Sequence, residues 1–159
     1  MKYLFNVLVL LLLLSFSANA TTIYVKKSAT GIKNGTSWTN AYTDLQNALD
    51  AATTSDQIWV AAGTYLPTDV PDKDGRTSTG ATDRNNAFHL ATNMKIYGGF
   101  AGTETLLSQR DAETNMTILS VDFSGDDGIT GSGSTIAIKE NTENAHHVMI
   151  TGGLTYAAV

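Results

Sequence analysis

The chain has 159 residues, about the length of one ordinary domain, with 15 acidic and 10 basic residues and a formal net charge of −5. That balance excludes a nucleic-acid binder, which needs clustered positive charge, and a polybasic membrane-surface module. Having no cysteine, the chain has no disulfide scaffold, zinc-thiolate site, cysteine nucleophile or lipid-modified leader cysteine.

Residues 1–20 carry a lysine at position 2, an apolar run from Val7 to Leu14 and the exit Ala18-Asn19-Ala20. This order describes a secretory signal peptide, so the mature chain is expected to begin at Thr21. The leader takes one lysine with it, leaving a net charge of −6. Beyond it no apolar segment approaches the roughly 20 residues that cross a bilayer.

Only 16% of the chain's residues are charged and only two are proline. Threonine, glycine, alanine, serine and asparagine dominate, which suits short strands joined by tight turns rather than a helical bundle. The first segment, 22–26, alternates and reads as a strand, followed by a glycine-, serine- and threonine-rich loop over 28–40. Thr43-Asp44-Leu45-Gln46 offers a capping box with Thr43 as the cap. Behind it Leu45, Ala48, Leu49 and Ala52 form one apolar stripe of a short helix over 44–52. Strands are then expected at 57–61, 87–90, 94–100, 117–121, 134–139 and 147–151. Two polar excursions interrupt them: 66–86, which holds both prolines and reads as an exposed loop, and one near 124–145, glycine-rich at 124–133. The organisation is therefore a leader over 1–20, a strand, loop and capping helix over 21–56, and successive turns over 57–159.

Spacing carries more than any single strand. Ile96 to Ile118 is 22 residues and Ile118 to Val148 is 30, the second with a glycine-rich insertion. A base period in the low twenties fits a stacked solenoid. An irregular antiparallel sandwich gives the same spacings.

A resemblance favours the solenoid. Gly35-Thr36-Ser37-Trp38, Tyr42-Thr43-Asp44-Leu45-Gln46-Asn47-Ala48-Leu49 and Ile58-Trp59-Val60-Ala61-Ala62-Gly63-Thr64-Tyr65 are followed by Lys95-Ile96-Tyr97-Gly98-Gly99-Phe100-Ala101-Gly102-Thr103-Glu104, Ser108-Gln109-Arg110-Asp111 and Asn115-Met116-Thr117-Ile118-Leu119-Ser120. Together they resemble the N-terminal part of secreted proteins with the pectin-lyase-like fold, common on Gram-negative cell surfaces. The resemblance implies an all-β, right-handed parallel β-helix with a short N-terminal capping helix. Family members run to several hundred residues, so it also implies an amino-terminal fragment, incomplete at its C-terminus. Arg110 and Asp111 then read either as a solvent-facing pair or, the preferred reading, as an anchor for the turn after Gly102.

Candidate sites are few. Ile23-Tyr24-Val25, Ile58-Trp59-Val60 and Ile96-Tyr97-Gly98 each set an aromatic beside an apolar residue. Stacked in register, they send Ile and Val inward and line Tyr24, Trp59 and Tyr97 along the outer face. Such a column is either a platform for sugar rings or ordinary packing beneath loops. Asp69, Asp72 and Asp74, and Asp122, Asp126 and Asp127, gather oxygen ligands of the kind calcium takes. The full D-x-[DN]-x-[DN]-G pattern with its distal glutamate is missing, so solvated loop carboxylates are the preferred reading and no cofactor is assigned. Adjacent His146 and His147 point opposite ways on a strand, His89 stands alone, and no G-x-S-x-G elbow accompanies the serines. No residue is assigned a catalytic role. The functional expectation is a non-catalytic, secreted or cell-surface protein, adhesin-like or binding a polysaccharide or surface glycan. The alternative is a polysaccharide lyase or glycoside hydrolase whose catalytic turns lie beyond this segment.

Overall fold

The computed structural model describes residues 20–70, 80–91 and 93–151. Most of the expected leader, together with Asp72 and Asp74, lies outside them. Among the described residues nine strands and one α-helix are formed: β1 (Thr22–Val25), α1 (Leu45–Ala51), β2 (Gln57–Ala61), β3 (Gly63–Tyr65), β4 (Phe88–Leu90), β5 (Lys95–Phe100), β6 (Thr117–Leu119), β7 (Gly128–Thr130), β8 (Ala137–Lys139) and β9 (Met149–Thr151). Two single 3₁₀ turns, Leu107–Gln109 and Gly133–Thr135, lie in the connections.

The strands make a three-stranded parallel sheet in the order β1-β2-β5, parallel pairs β3-β6 and β4-β9, and an antiparallel pair β7-β8. This corrects the expected right-handed parallel β-helix. Among the described residues the sheets are separate and only two or three strands wide, and no closed or solenoid sheet forms. The physical reasons are local. Most strands are three residues long, too short to carry pairing from one sheet into the next. Gly131 and Gly133, both with positive φ, let 128–139 fold back as a hairpin instead of adding a parallel strand.

Side-chain alternation within the three-stranded sheet follows the sequence. Ile23 stands opposite Ile58, which stands opposite Ile96, and Val25 stands opposite Val60. Their inner faces join Leu45, Ala48, Leu49, Tyr65, Phe88 and Met94 in the core. Burial of Val25, Ile58, Val60 and Phe88 is complete, each side chain contributing about 1.5–3 kcal/mol of transfer free energy.

Helix α1 covers this core, packing on β1, β2 and β4. Leu45, Ala48 and Leu49 are buried and Ala52 packs against the core, as the stripe requires. The cap is one residue later than expected. Asp44, in an extended conformation, accepts the amides of Gln46 and Asn47 at 2.7 and 3.4 Å. Its carboxylate displaces Thr43 from the role, and the Gln46 side chain donates to Asp50 instead of reaching back. The 66–86 excursion is not wholly exposed, because Pro67, Val70 and Asn86 are buried.

An irregularity in β5 decides what the other sheet face carries. Trp59 pairs with Tyr97, but Ala61 pairs with Phe100, so β5 spends one residue more than β2 over this stretch. Gly99, at φ +93°, takes up the extra residue, as glycine does in a β-bulge. The bulge reverses the alternation beyond it. Phe100 therefore faces outward with Trp59 rather than inward with Ile96.

Candidate functional site

That outer face is aromatic. Trp59 stacks on Phe100 with centroids 4.7 Å apart and planes 9° from parallel. Tyr24 meets Trp59 edge-on at 5.7 Å. Trp38, delivered by the loop between β1 and α1, closes over the group at 4.8 Å from Tyr24 and 5.5 Å from Phe100. Each pair adds about 0.5–1.5 kcal/mol beyond area burial. Trp59 is only 5% exposed and its Nε1 is buried without a hydrogen-bond partner, so it presents no free ring face. Tyr24 is half-buried between the two tryptophans. Tyr97 follows Trp59 in register, but its ring carries the Arg110 guanidinium at 5.7 Å. Of the three aromatics singled out from the sequence, Tyr24 and Trp59 join one packed cluster and Tyr97 takes a cation instead.

Trp38, not among the aromatics singled out from the sequence, is half-exposed like Tyr24, and it is the one that borders a groove. Its Nε1 donates to the Glu104 carbonyl oxygen at 2.8 Å. The Glu104 carboxylate in turn accepts the amides of Ala101, Gly102 and Thr103 at 2.6–2.9 Å. Burial raises the Glu104 carboxyl, but these amides and its own outweigh that and hold it below the ordinary carboxylate range. Trp38 thus stands on a loop stiffened from beneath. Beside it lies a groove of about 160 Å³, lined by Lys26, Ser28, Thr30, Trp38, Thr39 and Gly102. Lys26 lies across Gly102, where a Cβ would meet its amine at 2.8 Å, and donates to the Gly102 carbonyl at 3.3 Å. The groove combines an indole, hydroxyls and one cation without a carboxylate. This set can hold an uncharged polyol or an anion by stacking and hydrogen bonds.

Comparison with protein-family models, curated proteins and solved structures finds no match.

Arg110 and Asp111 are both exposed, as a solvent-facing pair would be, and Asp111 ties the backbone at Gly99 rather than the turn after Gly102. The Asp111 amide donates to Gly99 O at 2.7 Å, and its carboxylate accepts the amides of Glu113 and Thr114 and the Thr114 hydroxyl. These bonds, the Thr114 hydroxyl first, hold the Asp111 carboxyl low.

A second cluster joins Asp122 and Asp126 to Glu143, whose ligand oxygens all lie within 4.8 Å of one another. Asn144 brings Asp127 alongside through a 2.8 Å hydrogen bond. Glu143 lies some twenty residues from the aspartates in the chain, so only the fold reveals it as a member. Its own amide lowers its carboxyl, but burial and the charges on Asp126 and Asp122 outweigh this and push it above the ordinary range. Three oxygen donors this close could hold a divalent cation such as calcium; Asp126 is exposed, Asp122 and Glu143 are half-buried, and the three charges repel one another. Asp69, from the first acidic group, is exposed and caps the Val70 amide. His146 and His147 are exposed outside any strand, and His89 sits in β4.

Proposed function

We propose that this chain is the binding part of a secreted or cell-surface protein and holds a glycan, without cleaving it, in the groove beside Trp38. The observation that carries the reading is a half-exposed indole fixed by Glu104 and bordered by Ser28, Thr30, Thr39 and Lys26. A sugar ring offers an apolar face and a rim of hydroxyls, and this groove offers an apolar face and a rim of hydrogen-bonding groups. Tyr24, Trp59 and Phe100 act here as the buttress behind Trp38. Export through the leader places the groove outside the cell, where polysaccharides are the abundant ligands. No helix among the described residues is long and apolar enough to cross a membrane.

The test is retention of the full-length protein on a panel of insoluble and arrayed polysaccharides, with Trp38→Ala and Trp38→Phe beside the parent. Retention should fall at least about tenfold in Trp38→Ala, corresponding to about 1.4 kcal/mol, and in part in Trp38→Phe. Unchanged retention in a folded Trp38→Ala protein overturns the reading. Appearance of new reducing ends or unsaturated products decides for the carbohydrate-active enzyme instead.

A further inference from the structure

Asp56 is a buried carboxylate, 8% exposed, at the entry to β2. One oxygen accepts the Thr53 amide at 2.8 Å and the Thr53 hydroxyl at 2.7 Å. The other accepts the backbone nitrogen of Thr21 at 2.9 Å. Thr21 is held at its other end too, since the Gln57 amide donates to Thr21 O at 3.0 Å. The nitrogen that Asp56 grips belongs to the residue immediately after the Ala18-Asn19-Ala20 exit.

From this coincidence we infer that Asp56 is a prebuilt receptor for the amino terminus that leader removal creates, so that export processing locks β1 onto β2. The inference rests on the secretory reading of residues 1–20. Hydrolysis of the Ala20–Thr21 bond consumes one water, leaves the carboxylate on Ala20 and frees the amine of Thr21, which is an ammonium at neutral pH. Before cleavage that nitrogen is a neutral amide with one N–H for Asp56. Afterwards it carries a full positive charge and three N–H donors at the same position. Charge-assisted hydrogen bonds are roughly twice as strong as neutral ones. Thr21 is exposed, so water screens the pair and the gain is modest. It acts where it matters, because β1 is the first strand of its sheet and its register with β2 starts at Thr22 and Gln57.

The experiment begins with the full chain exported with its leader and its amino terminus read by mass spectrometry. A start at any residue other than Thr21 defeats the leader reading, and the receptor with it. With Thr21 first, the melting temperature is compared between this form and the same chain retaining Asn19-Ala20 ahead of Thr21, each with Asp56 and with Asp56→Asn. The Thr21 form should melt about 4 °C above the extended one, and Asp56→Asn should erase that difference. Equal melting of the two forms, or an equal loss from Asp56→Asn in both, refutes the receptor while leaving the secretory reading intact. Should Asp56→Asn not fold, selective acetylation of the Thr21 amine serves the same purpose. It restores a neutral amide and should bring the melting temperature down to that of the extended chain, and no change on acetylation refutes the receptor.

Discussion

Replacing Trp59 separates the two things an aromatic can do on this sheet. Its ring is 5% exposed and lies flat on Phe100, while its Nε1 is buried with no acceptor. Trp59→Ala removes the stack, the edge contact with Tyr24 and most of a ring's volume, and should cost about 3–5 kcal/mol. Trp59→Phe keeps a ring against Phe100 and removes the orphaned N–H. Losing two or so buried carbons costs about 1.5 kcal/mol, whereas the unsatisfied donor was itself costing about 1–3 kcal/mol. The two nearly cancel, so Trp59→Phe should stay within about 1 kcal/mol of the parent. Urea denaturation followed by far-ultraviolet circular dichroism measures both. A Trp59→Phe loss as large as that of Trp59→Ala would show that the indole nitrogen has a partner, and the argument from the orphaned donor fails. Glycan retention should be unaffected in Trp59→Phe, because the groove residue is Trp38.

Three further outcomes follow from single contacts. Gly98→Ala sets a Cβ 2.8 Å from the Thr117 Cβ, and thermal denaturation should show a loss of about 1–3 kcal/mol; a loss under about 0.5 kcal/mol would refute the close approach. Asp44→Ala removes the acceptor for Gln46 and Asn47 and should cost about 1 kcal/mol in the same assay, while Thr43→Ala costs clearly less; equal losses would return the cap to Thr43. Glu143 is held above its ordinary range by partial burial and by Asp126 and Asp122. Its folded form then binds a proton more tightly than its unfolded form, so the repulsion it brings is felt above the folded value and relieved as pH falls through it. Glu143→Gln should therefore raise the melting temperature slightly at pH 7 and leave it unchanged near pH 3, and a fall at pH 7 would refute the assignment of repulsion.

The parts of this fold that repeat locally could be read from the chain, and the parts that depend on parity could not. The triplets around Tyr24, Trp59 and Tyr97 predict a shared register, and the register is there. The stripe Leu45, Ala48, Leu49 predicts the buried face of α1, because a 3.6-residue period is visible within seven residues. Reading strand alternation through Gly98 and Gly99 fails for a definite reason. A bulge announces itself by the side chain that lands on the wrong face, and two adjacent glycines have none to show. Carried through without the bulge, period-two alternation puts Phe100 in the core. With it, Phe100 becomes the plate on which Trp59 lies and the floor beneath Trp38.

The same reversal explains why the candidate groove sits on Trp38 rather than on the aromatic column. Without Phe100 on the outer face, Trp59 would have one ring surface open to solvent, and the column would be the natural platform. With Phe100 there, the column is a second, smaller core, and a core on the outside of a sheet needs a cover. The 26–42 loop provides it, held to β1 by backbone bonds from Tyr24 to Gly35 and between Tyr42 and Tyr24. A covering loop must have an outer surface of its own, and the residue that closes the cluster from above is the one whose other side meets water. Trp38 is that residue, and its dependence on Phe100 ties the site to a single extra glycine in β5.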